Sequence, residues 1–348
     1  MTTSATEPAS PTRPYGPSWV NLVIAWFESL PGPTWVAYVG AIVIALGLSG
    51  LLMGDATPVG GAFAIVYYGA LPFGVFGLIH ILDRTAGRAL DSLRPLLAAD
   101  DAAIDAMHYQ LTVAPARPAA LVALFVFGFT AVSLALDPVG SGIASMSPQG
   151  VLFRYLWESL ITSVFLILVY HTFRQLRLID RIHAEIERID VFDQGPLYAF
   201  SQLTSRTALG LILLLAPSLF LLPTSAGSST IIITSAWYAF AVLVAGAAFV
   251  LPLRGMHDRL VTEKRRLQGE VGRRLTATVD AIHTAVDAED GGAIEARNRA
   301  LSTLIAERDL VNRIPTWPWS TGALTGFASA IVLPIVLFLV QRFLSQLV

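Results

Sequence analysis

Long stretches with few or no charged residues alternate with arginine-bearing segments along this chain, and that alternation restricts the possible folds more than any other feature. A helix needs about 20 apolar residues to cross the roughly 30 Å hydrocarbon core of a bilayer. Seven segments meet that requirement: 34–54, 60–80, 118–137, 151–171, 207–223, 231–253 and 320–345. The pattern predicts an all-α membrane protein, a bundle of seven spanning helices.

The overall composition supports this prediction. Only 14% of the 348 residues are charged, 54% are hydrophobic, and the mean hydropathy is +0.63. Soluble domains carry about a quarter charged residues. A water-soluble fold this poor in charge could not cover its own surface, so a large soluble core is excluded.

The basic residues predict the orientation of the bundle. Alternate loops lack Lys and Arg, and 21 of the 23 basic residues fall on one side, with Arg154 and Arg342 as the exceptions. Loops rich in Lys and Arg lie in the cytoplasm. We therefore predict a multi-pass protein of the cell (inner, cytoplasmic) membrane, with the N-terminus inside and the C-terminus outside.

The N-terminal part divides into two predicted segments. Residues 1–17 are rich in Ser, Thr and Pro and read as a disordered tail. Residues 18–33 are too short to cross and place an apolar face on one side of a helix, which predicts an interfacial amphipathic helix; a helix packed on the bundle is the alternative. That face consists of Trp19, Val23, Trp26, Phe27 and Leu30. Residues 34–253 form the predicted membrane domain, with cytoplasmic connecting helices.

A cytoplasmic helical hairpin is predicted at 254–313, between the sixth and seventh spans. Apolar residues recur every three or four positions on both sides of a break at Asp290-Gly291-Gly292. Apolar stripes flanked by Arg and Glu are typical of coiled-coil pairing, here either within the hairpin or between subunits. The final segment, 314–348, contains IPTWPW and the last span, and Trp317 and Trp319 are predicted interfacial anchors, as are Trp19 and Trp26.

A charged pair inside the fourth span is the first candidate site. Arg154 and Glu158 are four residues apart on one helical face, and charges inside a membrane usually face the bundle interior or a water cavity. One interpretation is an ion-sensing element or the lining of an outer vestibule. The other is a structural ion pair, with Arg154 extending to the outer headgroups.

Two weaker candidates involve histidines and small residues. His80, His171 and His257 end even-numbered spans on the cytoplasmic side, where they could sense pH or bind Zn²⁺, or could simply be interfacial residues. Gly322, Gly326 and Ala330 form a stripe of small residues on the last span, which predicts helix packing, with a gating hinge or a self-association face as the alternatives.

Several function classes find no support in the sequence. Without cysteine there are no disulfides or thiolate metal sites. No catalytic constellation, cofactor motif or metal-ligand spacing is present, and no basic face with interleaved aromatic residues indicates nucleic-acid binding. The run Lys264-Arg265-Arg266 with Arg273-Arg274 could bind anionic lipid heads or form a solvated helix face.

Three short segments carry a resemblance. LTVAPARPAA (111–120), PLYAFSQLTSRTALG (196–210) and ERDLVNRIPTWPWSTGAL (307–324) are similar to segments of an uncharacterised group of prokaryotic multi-spanning membrane proteins. The resemblance runs from about residue 80 onward. It implies the same membrane architecture and no particular activity.

Two functional classes remain open on this basis. The first is an oligomeric ion channel or transporter, with Arg154 and Glu158 near its outer mouth. The second is a membrane-anchored sensor or scaffold whose hairpin binds a cytoplasmic protein. In either class, the lipid bilayer and further copies of the chain are the predicted partners, and an enzyme is not expected.

Overall fold

The computed structural model describes residues 13–53, 65–97, 99–139, 141–185, 195–221, 228–317, 319 and 321–345. These residues form ten α-helices: α1 Trp19–Ser29, α2 Thr34–Met53, α3 Leu71–Leu93, α4 Asp101–Thr112, α5 Ala116–Leu136, α6 Pro148–Glu185, α7 Gly195–Phe220, α8 Ser228–Asp287, α9 Gly291–Arg313 and α10 Thr321–Ser345. A π-helical turn, Ile65–Ala70, leads directly into α3.

Six helical stretches are long and apolar enough to cross a membrane, as a multi-pass protein requires. They are Thr34–Leu52, Ile65–Leu93, Ala116–Leu136, Pro148–Ile179, Ile231–Asp287 and Gly322–Ser345. The predicted fifth span, 207–223, falls largely in α7, which is not among the six; residues 222 and 223 lie outside the described residues, as do 54 and 60–64 of the first two predicted spans. The count of seven and the orientation stay predictions.

The core of the bundle is formed by α3, α6, α7 and α8. Its centre includes Val75, Val164, Leu211 and Ala245, all fully buried. Two glycines allow α3 and α7 to approach closely: the space beside Gly74 is filled by Leu214, and the space beside Gly210 by Leu78. Each helix thus accepts a leucine from the other, which fixes their register.

Helix α1 packs on this core with part of its predicted apolar face and with neighbouring positions. Ser18 caps its N-terminus, and Val20, Ile24 and Phe27 are the buried positions. Trp19 and Val23 also pack against the core, whereas Trp26 is 58% exposed. Because α1 contacts α2, α3 and α5, it lies against the bundle, the alternative that the sequence left open, and its interfacial position stays a prediction.

The end of the predicted disordered tail is also corrected. Residues 1–12 lie outside the described residues, but residues from 13 onward are docked on the start of α5. Ser18 N donates to Ala114 O at 2.9 Å, and Ala116 N donates to Gly16 O at 3.0 Å. Together they form a short antiparallel bridge between Pro17 and Pro115.

Helix α8 continues from the membrane into the predicted hairpin without a break. It has 60 residues, and α9 follows after Ala288–Asp290, with Asp290 as its N-cap. Lys264 Nζ donates to Asn312 O and Ile314 O, both at 2.8 Å, and so satisfies carbonyls at the C-terminal end of α9. Arg274 lies 3.9 Å from Glu307. Because position 264 meets position 312 and position 274 meets position 307, α8 and α9 are antiparallel.

A column of stacked rings joins α8 to the start of α10. His257 stacks on Trp317 at 4.0 Å between ring centres, and Trp317 stacks on Trp319 at 4.3 Å. The column continues through Phe249 and Phe327 of α8 and α10. The two tryptophans, predicted to be interfacial anchors, therefore also hold the chain turn between α9 and α10.

Only part of the predicted small-residue stripe of α10 packs within the chain. A Cβ added to Gly326 would have nothing within 4 Å. Packing against the core uses Phe327, Ala330, Ile331 and Phe338. Ala330 therefore packs as predicted, whereas Gly326 leaves open space beside it. Gly322 and Gly326 remain predicted for contacts between copies.

Replacing Trp317 tests the aromatic column. We expect Trp317→Ala to lower the free energy of unfolding by about 2 kcal/mol, because two ring pairs worth about 0.5–1.5 kcal/mol each are lost. Thermal unfolding of the purified protein in detergent measures this. Trp35→Ala is the matched control, since Trp35 is 66% exposed. Equal shifts for both variants would contradict the structural role of the column.

Candidate functional site

A polar cleft of about 730 Å³ lies where the N-terminal segment and α1 face α3 and α4. It is open on one side, and most of its lining is polar or charged. The polar and charged lining residues are Arg13, Asn21, Glu28, His80, Asp83, Arg84, Arg88, Asp91, His108, Tyr109 and Thr112. This side of the bundle carries the arginine-rich loops.

One face of α3 supplies the floor of the cleft. His80, Asp83, Arg84, Gly87 and Arg88 recur at the helical spacing of three and four residues, so they share a face. The opposite face of the same turns is apolar and buried in the bundle. Helix α3 therefore packs into the core of the bundle with one face and presents ionisable groups to the cleft with the other.

A buried triad formed by Asp83, His171 and Gln175 adjoins the cleft, which Asp83 lines. His171 Nε2 lies 2.8 Å from Asp83 Oδ1, and Gln175 Nε2 donates to the same oxygen at 2.9 Å. Gln175 also donates to Leu111 O at 2.7 Å. The His171 and Asp83 side chains are 2% and 12% exposed. A carboxylate in this setting needs both partners, because an isolated buried charge is costly.

A second group, the rim cluster, consists of Glu28, His80 and Arg84. Glu28 Oε1 lies 2.9 Å from His80 Nε2 and 3.0 Å from Arg84 Nη2. His80 is nearly buried, whereas the Glu28 and Arg84 side chains are 42% and 56% exposed. One carboxylate of α1 thus bridges two bases of α3, between the buried triad and open solvent.

Arg174 ties the N-terminal segment to the bundle beside the cleft. Its guanidinium donates to the carbonyls of Gln110 and Val113 and to the Tyr15 hydroxyl, and it lies 4.9 Å above the Tyr15 ring. The Tyr15 hydroxyl in turn donates to Val113 O at 3.0 Å. Burial raises the pKa of Tyr15, with the Arg174 charge opposing, so the phenol keeps the proton that this bond requires.

A second cavity, of about 140 Å³, lies deeper in the bundle between the π-helical turn, α3, α6, α7 and α8. Apolar side chains dominate its lining, with hydroxyls from Tyr67, Thr162 and Thr234. Val75 borders this cavity and Asp83 borders the cleft, about 12 Å further along α3 at helical rise. Apolar residues of α3, including Ile79 and Leu82, are buried between the two levels.

The predicted pair Arg154 and Glu158 lies near the beginning of α6. Arg154 Nε donates to Glu158 Oε1 at 2.8 Å, and the side chains are 13% and 21% exposed. Arg154 also donates to Ser141 O in the preceding loop. The pair thus fastens that loop to α6, a structural role that the sequence interpretation had kept open beside the functional one.

The three predicted histidines occupy different settings. His80 and His171 flank Asp83, while His257 stacks on Trp317 with Nδ1 2.9 Å from Thr316 O. Within the described ranges, no group of three or more His, Cys, Asp or Glu side chains could hold a metal ion. The arrangement combines carboxylates with imidazoles, two groups that can exchange protons.

Sequence reasoning did not identify Glu28, Arg174 or Gln175 as site residues. Glu28 is the one acidic residue in the apolar segment 18–30, and Gln175 follows His171 by one helical turn, so both gave a weak signal. Arg174 resembles any arginine at a membrane exit. Its partner Tyr15 is 159 residues away, and no local pattern links them.

Comparisons with known proteins add no relative. No protein-family model, no curated protein and no solved structure matches the chain.

Replacing Arg174 tests how the N-terminal segment is held. We expect Arg174→Gln to lower the free energy of unfolding by about 2–3 kcal/mol, because charged hydrogen bonds to half-buried carbonyls are lost. The measurement is thermal unfolding in detergent, and Arg177→Gln is the control because Arg177 is exposed one turn along the same helix. Protease cleavage near residue 15 should also accelerate only in Arg174→Gln; unchanged stability and cleavage would refute this anchor.

Proposed function

We propose that this multi-pass membrane protein is an ion channel or transporter, with the cleft as its mouth on the arginine-rich side. The observation that carries the proposal is the Asp83 carboxylate, which is nearly buried within a membrane-length helix and yet lines an open cleft of about 730 Å³. Ionisable groups inside membrane helices are costly and commonly mark ion and proton pathways.

The buried triad would be the first internal ion site. A proton or a small cation reaching Asp83 meets a carboxylate already oriented by His171 and Gln175. The rim cluster supplies a second carboxylate, Glu28, and a second imidazole, His80, at the edge of the cleft. Two carboxylate–imidazole pairs in succession form a short relay from solvent into the bundle.

The apolar stretch of α3 between the cleft and the second cavity would be the gate. Ile79 and Leu82 are 2% and 1% exposed, so an ion passing from one space to the other needs α3 to move. The π-helical turn and Pro72 stand at the start of α3, and irregular turns and prolines are where helices bend. In this proposal α7 completes seven spans, with the N-terminus inside, and the protein assembles from several copies.

Flux measurements on the full chain test the proposal. In proteoliposomes, we expect Asp83→Asn to reduce proton or K⁺ flux about tenfold or more, the effect of raising the barrier by about 1.4 kcal/mol. The change removes the charge and keeps the size. Asp105→Asn, at an exposed position of α4 outside the cleft lining, should leave flux within about twofold of wild type, a barrier change of less than about 0.5 kcal/mol.

Two results would count against this proposal. Wild-type flux equal to that of empty liposomes, under varied voltage and pH, would refute transport. Flux that changes in Glu158→Gln but not in Asp83→Asn would move the ion site to the opposite end of the bundle.

A sensor or scaffold is the second candidate, and the exposed apolar side chains of α8 and α9 favour it. Val286 and Leu310 are 52% and 62% exposed, so pairing of the two helices leaves apolar surface for a cytoplasmic protein or a second copy. Deleting 262–311 separates the two functions. The residues on either side of the cut lie close together, because Leu260 and Ile314 belong to the same apolar cluster.

For a channel or transporter, the chain lacking 262–311 should keep its flux, since the cleft and the buried triad lie elsewhere. For a scaffold, wild type shows no flux and the deletion abolishes binding of the cytoplasmic partner. Loss of flux in the deleted chain, with correct membrane insertion, would show that the hairpin is part of the transport machinery instead.

A further inference from the structure

We propose that the outer part of the cleft is a binding site for a phosphate ester, held by Arg13, Arg88 and His108. These residues come from three parts of the chain: the N-terminal segment, α3 and α4. Their convergence is separate from the buried triad and the rim cluster. The site does not depend on transport, and its ligand could regulate either of the functions considered above.

Charge is the first argument. Within the described part of the chain, neither Arg13 nor Arg88 has a carboxylate oxygen within 4.0 Å, and neither is among the residues with further interactions. The acidic residues of the cleft are engaged elsewhere: Glu28 with His80 and Arg84, Asp83 with the buried triad, and Asp91 electrostatically with Arg94. Two guanidinium groups thus remain for an anionic ligand.

Local geometry is the second argument. The imidazole of His108 rests against Gly87, where an added Cβ would lie only 2.7 Å from His108 Nε2. A larger residue at 87 would force the His108 ring to shift. Arg13 lies over the Tyr109 ring at 5.8 Å, and Tyr109 is next to His108 in sequence. Gly87 thus leaves room for His108 and Tyr109 positions Arg13, while Arg88 follows Gly87 along α3 in the lining of the same cleft.

The surroundings favour a phospholipid headgroup as the source of the phosphate. Leu22 and Trp26 of α1 are each 58% exposed and lie one turn apart, with Leu22 on the edge of the cleft. An acyl chain could cover them while its headgroup enters the cleft. Basic pockets between membrane helices on the cytoplasmic side bind anionic headgroups in this way. A soluble phosphate ester would use the same guanidinium groups without the apolar contacts.

Lipid titration of the purified full chain in neutral detergent tests this proposal. Phosphatidylglycerol should raise the melting temperature more than phosphatidylcholine does. In the double variant Arg13→Gln/Arg88→Gln, the phosphatidylglycerol concentration that gives half of that effect should rise about 30-fold. This factor corresponds to a loss of about 1 kcal/mol of binding free energy for each arginine. Arg297→Gln/Arg299→Gln is the matched control, because it removes two exposed arginines of α9 that lie outside both the cleft lining and the basic run of α8.

Further measurements distinguish a lipid from a soluble phosphate ester and control for misfolding of the variant. Stabilisation by sn-glycerol 3-phosphate or inorganic phosphate, lost in the same double variant, would assign a soluble ligand; stabilisation by phosphatidylglycerol alone assigns the lipid. If the double variant does not elute as a single species, His108→Gln and Gly87→Ala serve in its place, each with weakened binding expected. Equal stabilisation by all additives, or loss of the effect in the α9 control but not in the cleft variants, overturns the proposal.

Discussion

The cost of holding the Asp83 carboxylate inside a membrane-length helix is the constraint on which much of this structure depends. A charge buried in low dielectric is tolerated only when it is paired and hydrogen-bonded. His171 and Gln175, one turn apart on α6, supply those bonds, and Gln175 also binds Leu111 O at the end of α4. The triad therefore links α3, α4 and α6, and losing one partner would disturb all three.

The N-terminal segment helps to satisfy backbone carbonyls at the end of α4. The chain leaving α4 exposes the carbonyls of Gln110, Thr112 and Val113, which need donors wherever water is excluded. Arg174, Asn21 and the Tyr15 hydroxyl provide them. Because the same segment forms one wall of the cleft, the bonds that secure it also shape the space in which an ion or a phosphate ester would bind.

The pairing of α8 and α9 is stabilised by different contacts. The long helix α8 leaves the bundle and pairs with α9 through a small apolar cluster of Met256, Leu260, Val311 and Ile314. The single lysine of the chain and the His257–Trp317 stack secure the return to α10. Farther along, the two helices are joined by the exposed ion pair Arg274–Glu307, which is worth less than about 1 kcal/mol.

The sequence by itself determined the helices and their membrane character, because hydrocarbon accepts only segments that satisfy their own backbone bonds and lack charge. It also located Arg154 with Glu158, since an i, i+4 pair is a local relation. It left open which apolar residues of α1 and α10 are covered, because the neighbouring helices in the bundle decide that. The cleft came only from tertiary structure: Asp83 and His171 are 88 residues apart, and Tyr15 and Arg174 are 159 apart. These residues become partners because their helix ends meet in the folded bundle. Helical periodicity in the sequence does not indicate which helix ends meet.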